Sequence, residues 1–134
     1  MNELSFKVEG QPVPWSRAGH NRKTNHFFTP PKMRDYMSLI AWTAISAGAK
    51  QRSGPVSLSL HFCLKIPKSW SLEKKNRALS GEIHHINKPD ASNLVKIFED
   101  ALNKIAYIDD SQIDCLNVKK SYGEPCVYVT ITYT

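Results

Sequence analysis

The sequence predicts an α+β fold: a small mixed sheet of about four strands with two main helices, in the order β-α-β-(α)-α-β-β. Three observations lead there. Val56, Leu58, Leu60, Phe62 and Leu64 alternate with Ser57, Ser59, His61 and Cys63, the period of a half-buried strand. Leu94, Ile97, Phe98, Ala101 and Ile105 recur at the spacing of one helix face. The whole chain is 134 residues and 41% hydrophobic, enough to build one core, so residues 1–134 are read as a single domain without repeats or linkers.

The remaining elements follow in order. Leu4, Phe6 and Val8 alternate with Ser5, Lys7 and Glu9 and predict a first strand, closed by Gly10 to Pro14. Residues 15–29 read as an irregular basic segment in which Arg17, His20, Arg22, Lys23 and His26 interleave with Trp15, Phe27 and Phe28. Cations suit phosphates and aromatic rings suit unpaired bases; the alternative is a solvated loop with its aromatics in the core. Thr29 is a candidate cap for a helix whose first turn holds Pro30 and Pro31. Met33, Tyr36, Met37, Ile40 and Ala44 form one face of it, and Leu39, Trp42 and Ile45 widen that face enough to suggest a subunit interface. Ser71 opens a short basic helix carrying Lys74, Lys75 and Arg77, with Gly81 after its end. Residues 112–121 read as a strand of imperfect alternation, which predicts a bulge or burial on both sides. Val127, Val129 and Ile131 mark a last strand after the Tyr122–Pro125 turn.

The net charge is +6 and the pI about 9.3, a balance that favours a polyanionic partner. The three cysteines, Cys63, Cys115 and Cys126, lack metal-ligand spacing. With no apolar leader or membrane-length run, they are expected to be reduced thiols in a cytoplasmic protein. His61 falls on the polar face of its strand, and the adjacent His84 and His85 point apart in extended chain.

The chemistry concentrates between Lys88 and Gln112. Asp90 or Ser92 can cap the central helix. Lys96 faces away from the apolar stripe, with Asp100 four residues on. A helix over residues 92–104 is about 18 Å long. Six extended residues after it return about 20 Å, so Asp110 can reach Asp90. Two carboxylates there suit Mg²⁺, which keeps several waters, and Lys96 could stabilise charge on a phosphate. The alternative makes Asp90 a cap, Asp109-Asp110 turn formers and Lys96–Asp100 a surface ion pair.

The run Lys88-Pro89-Asp90-x-x-Asn93-Leu94-x-Lys96, followed by Asp100-Ala101-Leu102-Asn103 and Tyr107-x-Asp109-Asp110-Ser111-Gln112, resembles the RusA family of Holliday-junction resolvases. Pro12-x-Pro14-Trp15-x-Arg17, Phe28 before Thr29-Pro30, and Pro67-Lys68-Ser69-Trp70-Ser71 extend the resemblance over nearly the whole chain. It implies a homodimeric, Mg²⁺-dependent endonuclease that cuts four-way DNA junctions by paired symmetric nicks in recombination and repair, from genes often carried by phages and prophages. It assigns the acidic residues to Asp90 and Asp110 and the essential lysine to Lys96. Ser92, Asp109 and Asp100 are further candidate metal donors. Arg17, Arg22, Lys23, Lys74, Lys75, Arg77 and Lys88 are candidate DNA contacts. The family pattern Asp-x-Asp-Asn-Leu is broken here, because Ser92 replaces the second acid. A junction-binding protein without cleavage activity is the competing function. A metal nuclease built on His84 or His85 and a generic basic scaffold are weaker readings.

Overall fold

The computed structural model describes residues 2–134. Strands β1 (Glu3–Glu9), β4 (Val56–Leu64), β5 (Ile113–Tyr122) and β6 (Cys126–Tyr133) form one mixed sheet in the order β1-β6-β4-β5. β6 pairs antiparallel with both β1 and β4, whereas β4 and β5 run parallel. A parallel pair needs a long crossover, and the chain supplies it with α2 (Leu72–Leu79) and α3 (Ala91–Leu102).

α3 and α1 (Pro31–Ser46) pack with one face of the sheet into a single apolar core. Met33, Tyr36, Ile40 and Ala44 come from α1. Leu94, Ile97, Phe98 and Leu102 come from α3. The alternating residues Val56 to Leu64 of β4 meet them. Phe98 is fully buried, with edge contacts to Tyr36 at 5.9 Å and Phe62 at 5.6 Å between ring centroids. Phe98→Ala is therefore expected to cost about 3–5 kcal/mol, because the cavity lies where three elements meet and cannot collapse. A urea titration that moved the unfolding midpoint by under ~1 kcal/mol equivalent would contradict this packing.

The architecture agrees with the expected α+β plan, with corrections of detail. Residues 15–29 are not wholly irregular: Gly19–Asn21 (β2) and His26–Phe28 (β3) pair as a separate hairpin. Nor are the hairpin's aromatics tucked into the core. Phe27 is 72% exposed and stacks on His20, with centroids 4.6 Å apart. Thr29 does not cap α1. Pro30 occupies the cap position without a side-chain bond, and Pro31 fills the first turn. Ser71 does cap α2, accepting from Lys74 N at 3.2 Å. The imperfect alternation of β5 has both a local and a global cause. Its register shifts at Asp114, where the pairing of Val56 with Ile113 passes to Ser57 with Cys115. Beyond it, Leu116 and Val118 share the helix side of the sheet with their partners Leu58 and Leu60, yet stay exposed because β5 is an edge.

The other face of the sheet is polar. His61 is satisfied there by Ser121 Oγ at 2.7 Å, and burial, with Lys119 nearby, lowers its pKa. α3 crosses the covered face so that its start lies near the far end of β5, where Lys120 Nζ donates to Asn87 O and Pro89 O, both at 3.0 Å. Its later turns contact the Asp110–Gln112 3-10 turn that opens β5.

Candidate active site along helix α3

Asp90 stands at the N-cap position of α3 in extended backbone. Its main chain does the capping work: Leu94 N donates to Asp90 O at 3.2 Å, and the carboxylate makes no cap bond. That carboxylate has neither a hydrogen bond nor an ion pair among the described residues. It opens onto a groove lined also by Lys32, Lys65 and Lys88, which arrive from three different parts of the chain. A free anion at a helix N-terminus, in a groove that three lysines also line, sits where positive potential from both sources gathers.

Ser92, Lys96 and Asp100 follow at helical spacing on the polar side of α3, while Leu94, Ile97 and Phe98 are buried behind them. Lys96 Nζ lies 3.9 Å from Asp100 Oδ2 and 5.2 Å from the centre of the Trp15 ring. Trp15 is brought there by the backbone, its N–H donating to Asn93 O at 2.9 Å. The ammonium therefore has a face and an anion to rest against, but remains about half exposed. An exposed pair of this kind contributes little stability, so its position is better read through what else it can reach.

Spacing predicts Asp110 beside Asp90 through an extended return; in the structure Asp110 opens the 3-10 turn that α3 contacts. Residues 103–107 coil into a tight turn in which Ile105 N and Ala106 N both donate to Leu102 O at 3.0 Å, Lys104 N donates to Tyr107 O at 2.8 Å, and Lys104 takes a left-handed φ of 63°. The chain spends those residues locally, and Asp110 comes within electrostatic reach of Glu99, whose carboxyl it helps to raise. Glu99 lies nine residues beyond Asp90, about 13 Å along the helix axis. Glu99 and Asp100 therefore share the polar side of α3 with Lys96, while Asp90 stands apart at the helix start.

The two adjacent aspartates of this loop have different work. Asp109 accepts from Ser111 N at 3.0 Å, and Gln112 Oε1 takes the N–H groups of Ile108 and Asp109 at 2.8 and 2.9 Å, a complete capping box. The Ser111 bonds hold the Asp109 carboxyl below its ordinary pKa. Gln112 Nε2 then anchors the loop to Arg52 O and Gly54 O, before β4. Asp109 is thus the turn former, and its neighbour Asp110 is left partly buried, facing the acidic end of α3.

Burial first, then Asp110 and Asp100, raise the Glu99 pKa, against an opposing pull from Lys96. A carboxyl raised in the folded state binds its proton more tightly than in the unfolded chain, so stability falls as pH rises from the unfolded value towards the folded one. Glu99→Gln is therefore expected to be modestly more stable than the parent at pH 7, since the site is well solvated and screened. The advantage should vanish below the unfolded pKa. Paired thermal melts at neutral and acid pH check this, and a constant difference across the range would show that charge is not its cause.

The other sequence candidates scatter. Arg17 precedes the β2–β3 hairpin, Arg22 and Lys23 lie in its turn, and all are exposed. Lys74 lies over the Trp70 ring at 4.1 Å, and Arg77 is tied to Glu82 at 3.0 Å, so neither is as unengaged as its sequence suggested. His84 is exposed, whereas His85 packs against Tyr122, where burial and Lys120 lower its pKa. Glu99, Lys32 and Lys65 were missed. Glu99 had a signal, three residues after Lys96 on the same helix side. The lysines had none, because they meet Asp90 only through the fold.

A protein-family model described as endodeoxyribonuclease RusA matches residues 9–132. This chain belongs to the RusA endodeoxyribonuclease family. It is also 35% identical over 137 residues to a Bacillus subtilis (strain 168) protein named "Uncharacterized protein YqaN", covering 98% of this chain and 96% of that one. Two of the segments that carry the RusA resemblance, Pro12 to Arg17 and Lys88 to Lys96, touch at the Trp15–Asn93 bond and the Trp15–Lys96 contact.

The residues present fit a hard divalent cation. Asp90 offers an uncommitted carboxylate, and Glu99, raised first by burial and then by Asp110 and Asp100, is a carboxyl whose ionisation a cation would favour. Among the described residues no three His, Cys, Asp or Glu side chains converge closely enough to hold an ion by themselves. Mg²⁺ is suited to such sparse donors, because it keeps waters and shares substrate phosphate oxygens.

Proposed function

We propose that this chain is a Mg²⁺-dependent, structure-selective endonuclease that resolves four-way DNA junctions by paired symmetric nicks, working as a homodimer in cytoplasmic DNA recombination and repair. The observation that carries the reading is Lys96 on the polar side of α3, held by Trp15 and Asp100, on a helix that starts at the uncommitted Asp90 and whose Glu99 feels Asp110. Family membership gives the reaction class, an endodeoxyribonuclease.

In this mechanism Asp90 and Asp110 would be the metal-holding carboxylates, each sharing its ion with waters and phosphate oxygens rather than with the other, and Asp100 and the Ser92 hydroxyl would be auxiliary oxygen donors. Asp109 is spent on its capping box. When bound, Mg²⁺ supplies Lewis-acid charge to the scissile phosphate. Lys96 places an ammonium beside that phosphate and stabilises the charge that grows on it in the transition state. Trp15 and Asp100 keep the ammonium aimed, which lowers the entropy lost on engagement. Lys32, Lys65 and Lys88 hold neighbouring phosphates at the groove. Arg17, Arg22 and Lys23 bind more distant ones, so recognition follows backbone shape rather than base edges. Exposed Phe27, stacked on His20, offers a face for an unpaired base at the branch point.

The deciding experiment incubates the purified protein with a synthetic four-way junction and with linear duplex, each in Mg²⁺ or in EDTA. Paired nicks in the junction alone, abolished by EDTA, are expected. Equal cutting of duplex would remove the structure selectivity.

One observation favours a second reading, a junction-binding protein without cleavage. Ser92 stands where the family pattern has an acid, and it is exposed on the polar side of α3 one turn before Lys96. Ser92→Asp is expected to lower the Mg²⁺ concentration for half-maximal cutting by roughly tenfold, the scale on which supporting groups tune metal affinity. An unchanged midpoint in the titration would show that position 92 does not limit the ion.

A further inference from the structure

We infer that Lys120 is a positioning residue: its ammonium clamps the carbonyls of Asn87 and Pro89, and so sets the place at which the Asp90 carboxylate meets a divalent cation. The inference rests on the proposed reading of Asp90 as a metal-holding carboxylate. It supplies what that reading lacks, a group that fixes the carboxylate in place.

The Asp90 side chain makes no cap bond and no ion pair among the described residues, so its place depends on its main chain. Towards the helix, Leu94 N ties Asp90 O at 3.2 Å. Before it lie residues 84–89, which belong to no helix or strand and make no backbone–backbone hydrogen bond among the described residues. Side chains from the end of β5 hold that segment instead. Lys120 Nζ donates to Asn87 O and to Pro89 O, both at 3.0 Å, and the Tyr122 ring packs on His85 with centroids 4.9 Å apart. The Pro89 carbonyl shares one peptide plane with Asp90 N. A clamp on that oxygen therefore fixes the plane from which Asp90 starts.

The clamp stands on a rigid support. Lys120 lies opposite Phe62 of β4, which is fully buried, whereas its neighbour Lys119 lies opposite His61 on the polar face and is exposed. Lys120 is half-buried and has no acidic partner among the described residues. Two of its three N–H donors go to main-chain oxygens, and an ionised donor makes the stronger kind of hydrogen bond. Ser92 makes this placement count for more. With one acid fewer than the family pattern, the ion depends on Asp90 being in the right place. Groups that orient a metal-holding side chain tune affinity by roughly 10- to 100-fold.

The test reads ion binding without cleavage. Mn²⁺, a hard cation that suits the same oxygen donors, is titrated into the protein without DNA and followed by the paramagnetic resonance of the free ion. Amide hydrogen exchange over residues 84–94 is measured without metal. Lys120→Met is expected to keep the parent's circular dichroism, to weaken Mn²⁺ binding by about tenfold and to hasten exchange at the start of α3. The sign is diagnostic, because charge alone predicts tighter binding once an ammonium that repels the cation is gone. Lys120→Arg has donors enough for both carbonyls and should stay within about threefold of the parent. Lys119→Met removes the same charge from the opposite face and should weaken nothing. Unchanged or tighter Mn²⁺ binding in Lys120→Met would overturn the clamp, as would an equal weakening in Lys119→Met. A parent that binds Mn²⁺ no better than Asp90→Asn would overturn the metal reading of Asp90 and this inference with it, a result distinct from a parent that binds the ion and a Lys120→Met that binds it as well.

Discussion

Asp110→Asn is expected to abolish Mg²⁺-dependent cutting of a four-way junction while leaving the chain folded, and Asp90→Asn to do the same from the other end of α3. The reasons differ. Asp90 has no structural bond to lose, so its amide variant removes only a hard anionic oxygen at the helix start. Asp110 lies beside Glu99, so neutralising it also relaxes a carboxyl crowd and should slightly ease folding. Both are expected to lower the cleavage rate at least about a hundredfold, the scale of losing one electrostatic contact that matters in the transition state. Junction affinity in EDTA should hold or tighten, since a negative charge near phosphate is gone. Single-turnover rates and binding isotherms on one labelled junction separate these effects. Asp109→Asn is the control. It disturbs a capping box rather than the proposed donors, so its loss should appear in thermal stability first. Cutting that persisted in both Asp90→Asn and Asp110→Asn would sink the metal assignment.

Lys96→Ala should lower the cleavage rate by about 10²- to 10³-fold, with little change in stability. Its partner Asp100 lies at 3.9 Å and the ammonium is about half solvated, so the fold barely depends on it. Lys96→Arg should recover little, because a planar fork seated over Trp15 cannot reproduce a compact point charge. Trp15→Leu gives the graded case. It keeps apolar bulk but removes the ring face beneath the ammonium, so the rate should fall less than in Lys96→Ala. Near-parental rates in Lys96→Ala would return this lysine to a surface ion pair.

Much of the fold could be read from local pattern. β4 alternates without error because one face is buried along its whole length. The buried stripe of α3 was visible because Leu94, Ile97, Phe98 and Ala101 all point to one core. The β2–β3 hairpin was not visible. Its strands are short and exposed, so no periodicity marks them, and its turn rests on Asn21 Oδ1 accepting from Lys23 N at 3.0 Å and Thr24 N at 3.4 Å, with Asn25 at a φ of 57°. β5 was legible as a strand but not as an edge, since exposure of Leu116 depends on what the rest of the chain fails to cover.

By itself the sequence determined the kinds of chemistry available and their order: a lysine one turn inside a helix that starts at an aspartate, an acidic loop after it, and the serine that interrupts the family pattern. Those are properties of neighbours a few residues apart, which helical spacing makes computable. Only the tertiary structure decided which acids stand together. The turn at residues 103–107 closes on its own hydrogen bonds rather than returning extended, and Asp110 comes within electrostatic reach of Glu99. The packing of α1 and the end of β4 likewise brings Lys32 and Lys65 to the groove beside Asp90. Both outcomes depend on where backbone donors and acceptors find partners across the chain, a quantity that residue spacing does not carry.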